Sequence, residues 1–157
     1  MSDRVTESVR KQCRSAWAMV ENAMLVCGDE QWKKARENSF CVPAAAIVHI
    51  IETFDYYVDE APSSFYWSRL ADVEQSPPSA LPDKTAVAAY LGQTRDKVNQ
   101  WFDRAETDGL NLPDDVFRTD FTAPIERVIY ALRHLQHHLG QLSLELQLRG
   151  MEAVTWE

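Results

Sequence analysis

Glycine is scarce in this chain, 5 of 157 residues. Neither G-x-G-x-x-G nor G-x-x-x-x-G-K occurs, so the backbone cradles that hold dinucleotides and nucleotide phosphates have no counterpart. Cysteine is scarce too. Cys13, Cys27 and Cys41 are odd in number, far apart and without C-x-x-C, which argues against a zinc ribbon or a dithiol redox pair. They read as free thiols, buried or partly so; the alternative is a reactive thiol near a site. Positive charge is short. Lys plus Arg is 16 against 24 Asp plus Glu, a net charge of −8. Nucleic-acid affinity comes largely from neutralised phosphates, so no nucleic-acid partner is expected. Long apolar runs are missing: the longest, Pro43 to Ile51, is about half of what a bilayer span needs. The first seven residues, Met1 to Glu7, are polar and lack the apolar core of a signal peptide. A soluble, cytoplasmic protein without a membrane partner is therefore expected. G-x-S-x-G is absent, which removes the main signal for Ser-His-Asp hydrolysis. So is Glu-x-x-His, and with it a di-iron carboxylate bundle; His49-Ile50-Ile51-Glu52 has the reverse order.

What is present is enough for a core, at 45% hydrophobic and 10% aromatic residues. Four long segments carry a helical period. In the first, about Thr6 to Cys27, Val9, Cys13, Trp17, Val20 and Met24 recur at spacings of three and four, with Gly28 as a stop. Asp29 to Asn38 has room for another turn or two. The second starts after Pro43 and runs to about Glu60, with Ala44, Ile47, Val48, Ile51, Phe54, Tyr57 and Val58 on its apolar face. Ser64 to Pro82 reads as a long irregular loop. The third runs from about Asp83 to Ala105 on a stripe of Val87, Tyr90, Leu91, Thr94, Val98, Trp101 and Phe102. A helical or turn-rich connector follows over Asp114 to Phe121. The fourth starts near Thr122 as N-cap, with Pro124 and Glu126 in its first turn, and ends about Arg149 before Gly150. No strand alternation shows. Residues 1–157 are expected to form a single all-α domain, a four-helix bundle.

The chain has 4 histidines. His134 and His138 are four apart, which leaves them about 40° apart around a helix and about 5–6 Å apart at Cβ. Two imidazoles so placed can share a metal ion. His137 is turned away from that pair and reads as packing or part of a dimer face. His49 interrupts an apolar run. A buried imidazole must find a hydrogen bond or a metal, because an unsatisfied polar group in a core costs a few kcal/mol. If the second and fourth helices face each other, His49 completes a three-His site with an open coordination position, the pattern of catalytic centres. The plainer reading is three core histidines with ordinary hydrogen-bond partners.

The stretch His134-Leu135-Gln136-His137-His138-Leu139-Gly140-Gln141-Leu142, then Leu148-Arg149-Gly150, resembles the last helix of the DinB/YfiT-like metalloenzyme family. That family carries H-x-x-x-H-x-G-Q there and a further histidine on its second helix, here His49 ahead of Glu52-Thr53-Phe54-Asp55-Tyr56-Tyr57. The likeness spans essentially the whole chain, and only the ending departs, since Gly150 follows Arg149 directly. The resemblance implies an up-down-up-down bundle with a divalent ion on His49, His134 and His138. Zinc, nickel and iron all suit three nitrogen donors. It also implies homodimers, and for some relatives thiol-dependent transfer that uses a low-molecular-weight thiol.

Helical angles then list the neighbours. Arg127, Tyr130, Gln141 and Glu145 share the stripe of His134 and His138, while Glu52, Thr53 and Tyr56 flank His49. Gln141 or Glu52 would accept the second N–H of a ligand imidazole. Tyr130 or Tyr56 would donate to a bound oxyanion, and Arg127 would hold a substrate carboxylate. For each, the alternative is a packing residue or a solvated surface group. Mid-helix Gly140 suggests close approach of a helix or a substrate. Trp67 is placed to wall a pocket. The expectation is a metal-dependent enzyme, a thiol-dependent S-transferase or a hydrolase, acting on a small molecule. The alternative is a non-catalytic dimeric interaction or metal-sensing bundle.

Overall fold

In the computed structural model, which describes residues 4–156 except 40, 109, 111 and 118, the four apolar stripes become four long helices. The first, α1, spans Arg4–Val26 and buries Cys13, Trp17, Val20 and Met24 as its period requires. Gly28 does not stop it in a left-handed turn. It has φ −61° and caps the single turn α2, Asp29–Trp32. Helix α3, Pro43–Tyr57, is the most enclosed. Besides the apolar face it buries Glu52, Thr53 and Asp55. Helix α4 covers Lys84–Asp108 and α5 Pro124–Leu148. The expected N-cap moves by one residue. Ala123 precedes Pro124, and the Thr122 amide donates to Glu126 Oε2 at 2.8 Å. Gly150 does end α5 with a positive φ of 81°. No strand occurs among the described residues, and no helix of them is long and apolar enough to cross a membrane.

All four long helices contribute to one core, with Trp17, Ile47, Phe54, Phe102, Leu135 and Leu142 near its centre. Helix α1 packs on α4 and α5, and α3 packs on the same two. Cross-helix partners fix the directions. Arg10 meets Asp103, Glu21 meets Arg95, and Lys84 reaches the Cys27 carbonyl, so α1 and α4 are antiparallel. Tyr90 meets Asp55, Lys97 meets Asp55 and Asp59, and Arg104 meets Glu60, so α3 and α4 run parallel. Arg149 reaches the Cys41 carbonyl and Tyr57 stacks on Tyr130, so α3 and α5 are antiparallel.

The four-helix bundle stands as expected, but strict alternation is corrected: the order is up, down, down, up. Parallel neighbours cannot be joined by a tight turn. The chain must travel back along the bundle, and residues 58–83 do so. That segment is fastened along its course. Glu52 Oε1 accepts the Arg69 amide at 3.0 Å, Asp72 Oδ1 accepts the amides of Glu74 and Gln75, and Trp32 Nε1 donates to the Pro82 carbonyl. Leu70, Ala71 and Val73 pack against the core.

Candidate metal centre

Antiparallel packing of α3 on α5 brings together residues far apart in sequence. His49 lies midway along α3, and His134 and His138 lie one turn apart on α5. Nε2 of His49 is 3.2 Å from Nε2 of His134. The ring centroids are 4.9 Å apart for His49 and His134, 4.8 Å for His49 and His138, and 4.4 Å for His134 and His138. One nitrogen from each lies within 4.8 Å of the other two. Two nitrogens held tetrahedrally at about 2.0–2.1 Å from one zinc-sized ion are about 3.3 Å apart, close to the His49–His134 separation. Among the described residues these three side chains form the group that could hold a metal ion.

The surroundings keep the imidazoles neutral, the form in which they bind metals. Burial pushes the His134 pKa down to about 4, aided by the charges of His138 and His49. His49 is lowered by burial and then by His138, and Glu74 opposes this. His138 is lowered by burial as well. Its Nδ1 lies 2.9 Å from Gln141 Oε1. An N–H at Nδ1 donating to that oxygen leaves Nε2 as the lone pair.

Across most of its length this sequence, from residue 12 to 142, matches the family model of the DinB superfamily. The chain belongs to the DinB superfamily. No curated protein and no solved structure matches it.

Several residues of this DinB chain sit elsewhere than the helical angles suggest. Glu52 is buried, but its carboxylate accepts the Arg69 amide and fastens the long connection; its hydrogen bond does not go to a ligand imidazole. Burial raises its pKa. Arg127 is 3% exposed. Its Nε stands 3.3 Å from Asp114 Oδ2 and its guanidinium lies over Phe117, so it is committed to these two residues rather than open to a substrate. Glu145 is fully buried against Arg36 and Arg149, and Arg149 also bonds the carbonyls of Lys34 and Cys41. That cluster fastens Lys34, Arg36 and Cys41 to the end of α5. Gly140 shows no close approach: a Cβ there would meet nothing within 4 Å.

At all three cysteines burial disfavours the thiolate. Burial pushes Cys13 up to about 12 and Cys41 to about 11, and raises Cys27 too. Tyr56 is packed among Tyr57, Phe65, Trp67 and Phe117. Trp67 is 47% exposed at the edge of this aromatic wall. Tyr130 is 39% exposed and lines a cleft with Arg133, His134, Gln136 and His137.

Sequence reasoning missed three neighbours. Tyr57 packs edge-on against Tyr130, and burial first, then the neighbouring Tyr130, raise its pKa to about 12. Glu74 acts on His49 from a loop whose path no periodicity reveals. Arg133 precedes His134, and that adjacency was the one available signal.

Proposed function

We propose that this chain binds a divalent metal ion through His49, His134 and His138 and acts as a metal-dependent transferase or hydrolase on a small molecule. The observation that carries this reading is the convergence of three neutral imidazoles from two helices, with Gln141 orienting one of them. Three protein nitrogens leave a position open, as catalytic centres do. Zinc, nickel and iron are the candidate ions. Such an ion would lower the pKa of a water or thiol and polarise an electrophile. A low-molecular-weight thiol is the proposed co-substrate for transfer, because no cysteine of the chain is poised to supply one. Tyr130, exposed beside His134, is positioned to donate a hydrogen bond to an oxyanion. The proposed setting is cytoplasmic.

We also propose a homodimer through the outer face of α5, where Leu144 and Leu148 are exposed near the bare backbone of Gly140. Light scattering on a Leu144→Glu variant reads this directly.

Elemental analysis of tag-free protein tests the central reading. Near-stoichiometric metal in the chain, lost in His49→Ala, is the expected result. Absence of metal after incubation with zinc, nickel and iron would overturn it.

A further inference from the structure

The kind of molecule that enters is written in the side chains around His134. This histidine belongs both to the three-imidazole cluster and to the cleft lined by Tyr130, Arg133, Gln136 and His137. The cleft is open to solvent on the α5 face and holds about 520 Å³, room for a small molecule. No carboxylate lines it.

Arg133 is exposed in this cleft. Eight described arginines sit within ion-pair distance of an Asp or Glu. Arg133 has no such partner among the described residues, although acids outnumber Lys and Arg by 24 to 16. Internal partners are in excess, yet this guanidinium is left to solvent one residue from a centre of the proposed site. Arg127, the other arginine within α5, is buried and already occupied by Asp114.

We propose that Arg133 binds the carboxylate of an anionic small-molecule substrate or co-substrate whose reactive atom reaches the ion beside His134. This rests on the metal reading above. A planar guanidinium offers two parallel N–H donors to a carboxylate, which fixes orientation as well as charge. Glu74, from the long connection, acts on His49 and does not line the cleft. A divalent ion on three neutral imidazoles, next to Arg133, makes a local positive well on an acidic surface, and such a well draws anions in. The carboxylate therefore meets Arg133 while Tyr130 and Gln136 flank the rest of the molecule.

The test uses the full chain loaded with cobalt(II), whose visible spectrum reports thiol binding. Mercaptopropionate and mercaptoethanol are the probes, one with a carboxylate and one without. In Arg133→Ala, mercaptopropionate should bind about tenfold more weakly than in wild type, the worth of a charge-assisted hydrogen bond. Mercaptoethanol should bind the two equally. Arg133→Lys should restore part of the loss, and Lys11→Ala, on α1, should change neither. Unchanged mercaptopropionate affinity in Arg133→Ala would overturn the role of Arg133 and leave the metal site standing. A wild-type chain that takes up neither cobalt nor zinc, nickel or iron would overturn the metal reading, and this inference with it.

Discussion

Arg127 on α5 and Asp114 in the preceding connection form an ion pair, Nε to Oδ2 at 3.3 Å, with side chains 3% and 1% exposed. Phe117 and Trp101 lie under the guanidinium, 4.7 and 5.7 Å from its carbon. The Asp114 carboxylate also accepts the amides of Val116 and Phe117, both at 2.9 Å. This pair ties the chain between α4 and α5 to the bundle end nearest the aromatic wall.

Removing one partner should therefore unfold rather than inactivate. Arg127→Ala leaves Asp114 buried without its cation, and breaking a buried pair costs about 3–5 kcal/mol. Urea denaturation should show a loss of that size. The double variant Arg127→Met, Asp114→Asn should lose much less. If Arg127→Ala were as stable as wild type, the pair would not be structural.

Stability of the metal-free chain should depend on pH through the histidines. The folded pKa of His134 is about 4 against an ordinary value of 6.5. Between those values the unfolded chain takes up a proton that the folded chain refuses, so stability falls as pH falls. The contribution is complete above 6.5 and gone below about 4. His49 and His138, also lowered, act in the same direction. Denaturation at several pH values should show a slope in this window that His134→Gln reduces.

Gln141 should matter to metal affinity without touching the metal. Its Oε1 lies 2.9 Å from His138 Nδ1. Loss of such an outer partner typically costs about 10- to 100-fold in affinity. Competition with a chelator should show a Gln141→Leu variant weaker by that factor. Gln141→Glu, which keeps the acceptor, should stay near wild type.

Gly140 offers a stability test of the open α5 face. A methyl group there meets nothing within 4 Å. Gly140→Ala should raise helix stability by about 0.5–1 kcal/mol, seen as a higher thermal midpoint at low protein concentration. A loss of stability that grows with concentration would show instead that a second copy packs on this backbone.

Local order was legible along the chain. Apolar residues at spacings of three and four marked α1, α3, α4 and α5, because an amphipathic helix must turn one face to the core. Pro124 marked the start of α5 and Gly150 its end, since backbone preference is a property of single residues. The His134–His138 pair and the unusual His49 were legible for the same reason: one turn of helix fixes the first, and the cost of burying an imidazole flags the second.

What only the tertiary structure decided concerns pairs distant in sequence. The parallel run of α3 and α4 rests on Lys97 meeting Asp55 and Asp59, and no local pattern specifies that partner. Helical angles put Arg127, Glu52 and Glu145 on faces near the histidines, but an angle does not say what approaches that face from another element. Asp114, the Arg69 amide, Arg36 and Arg149 do, and they take these three groups into the structure. Arg133, with no such partner among the described residues, is left to face solvent beside His134. The sequence determines which side chains are available to the site; packing determines which of them stay free, because burial and pairing are settled between elements and not within them.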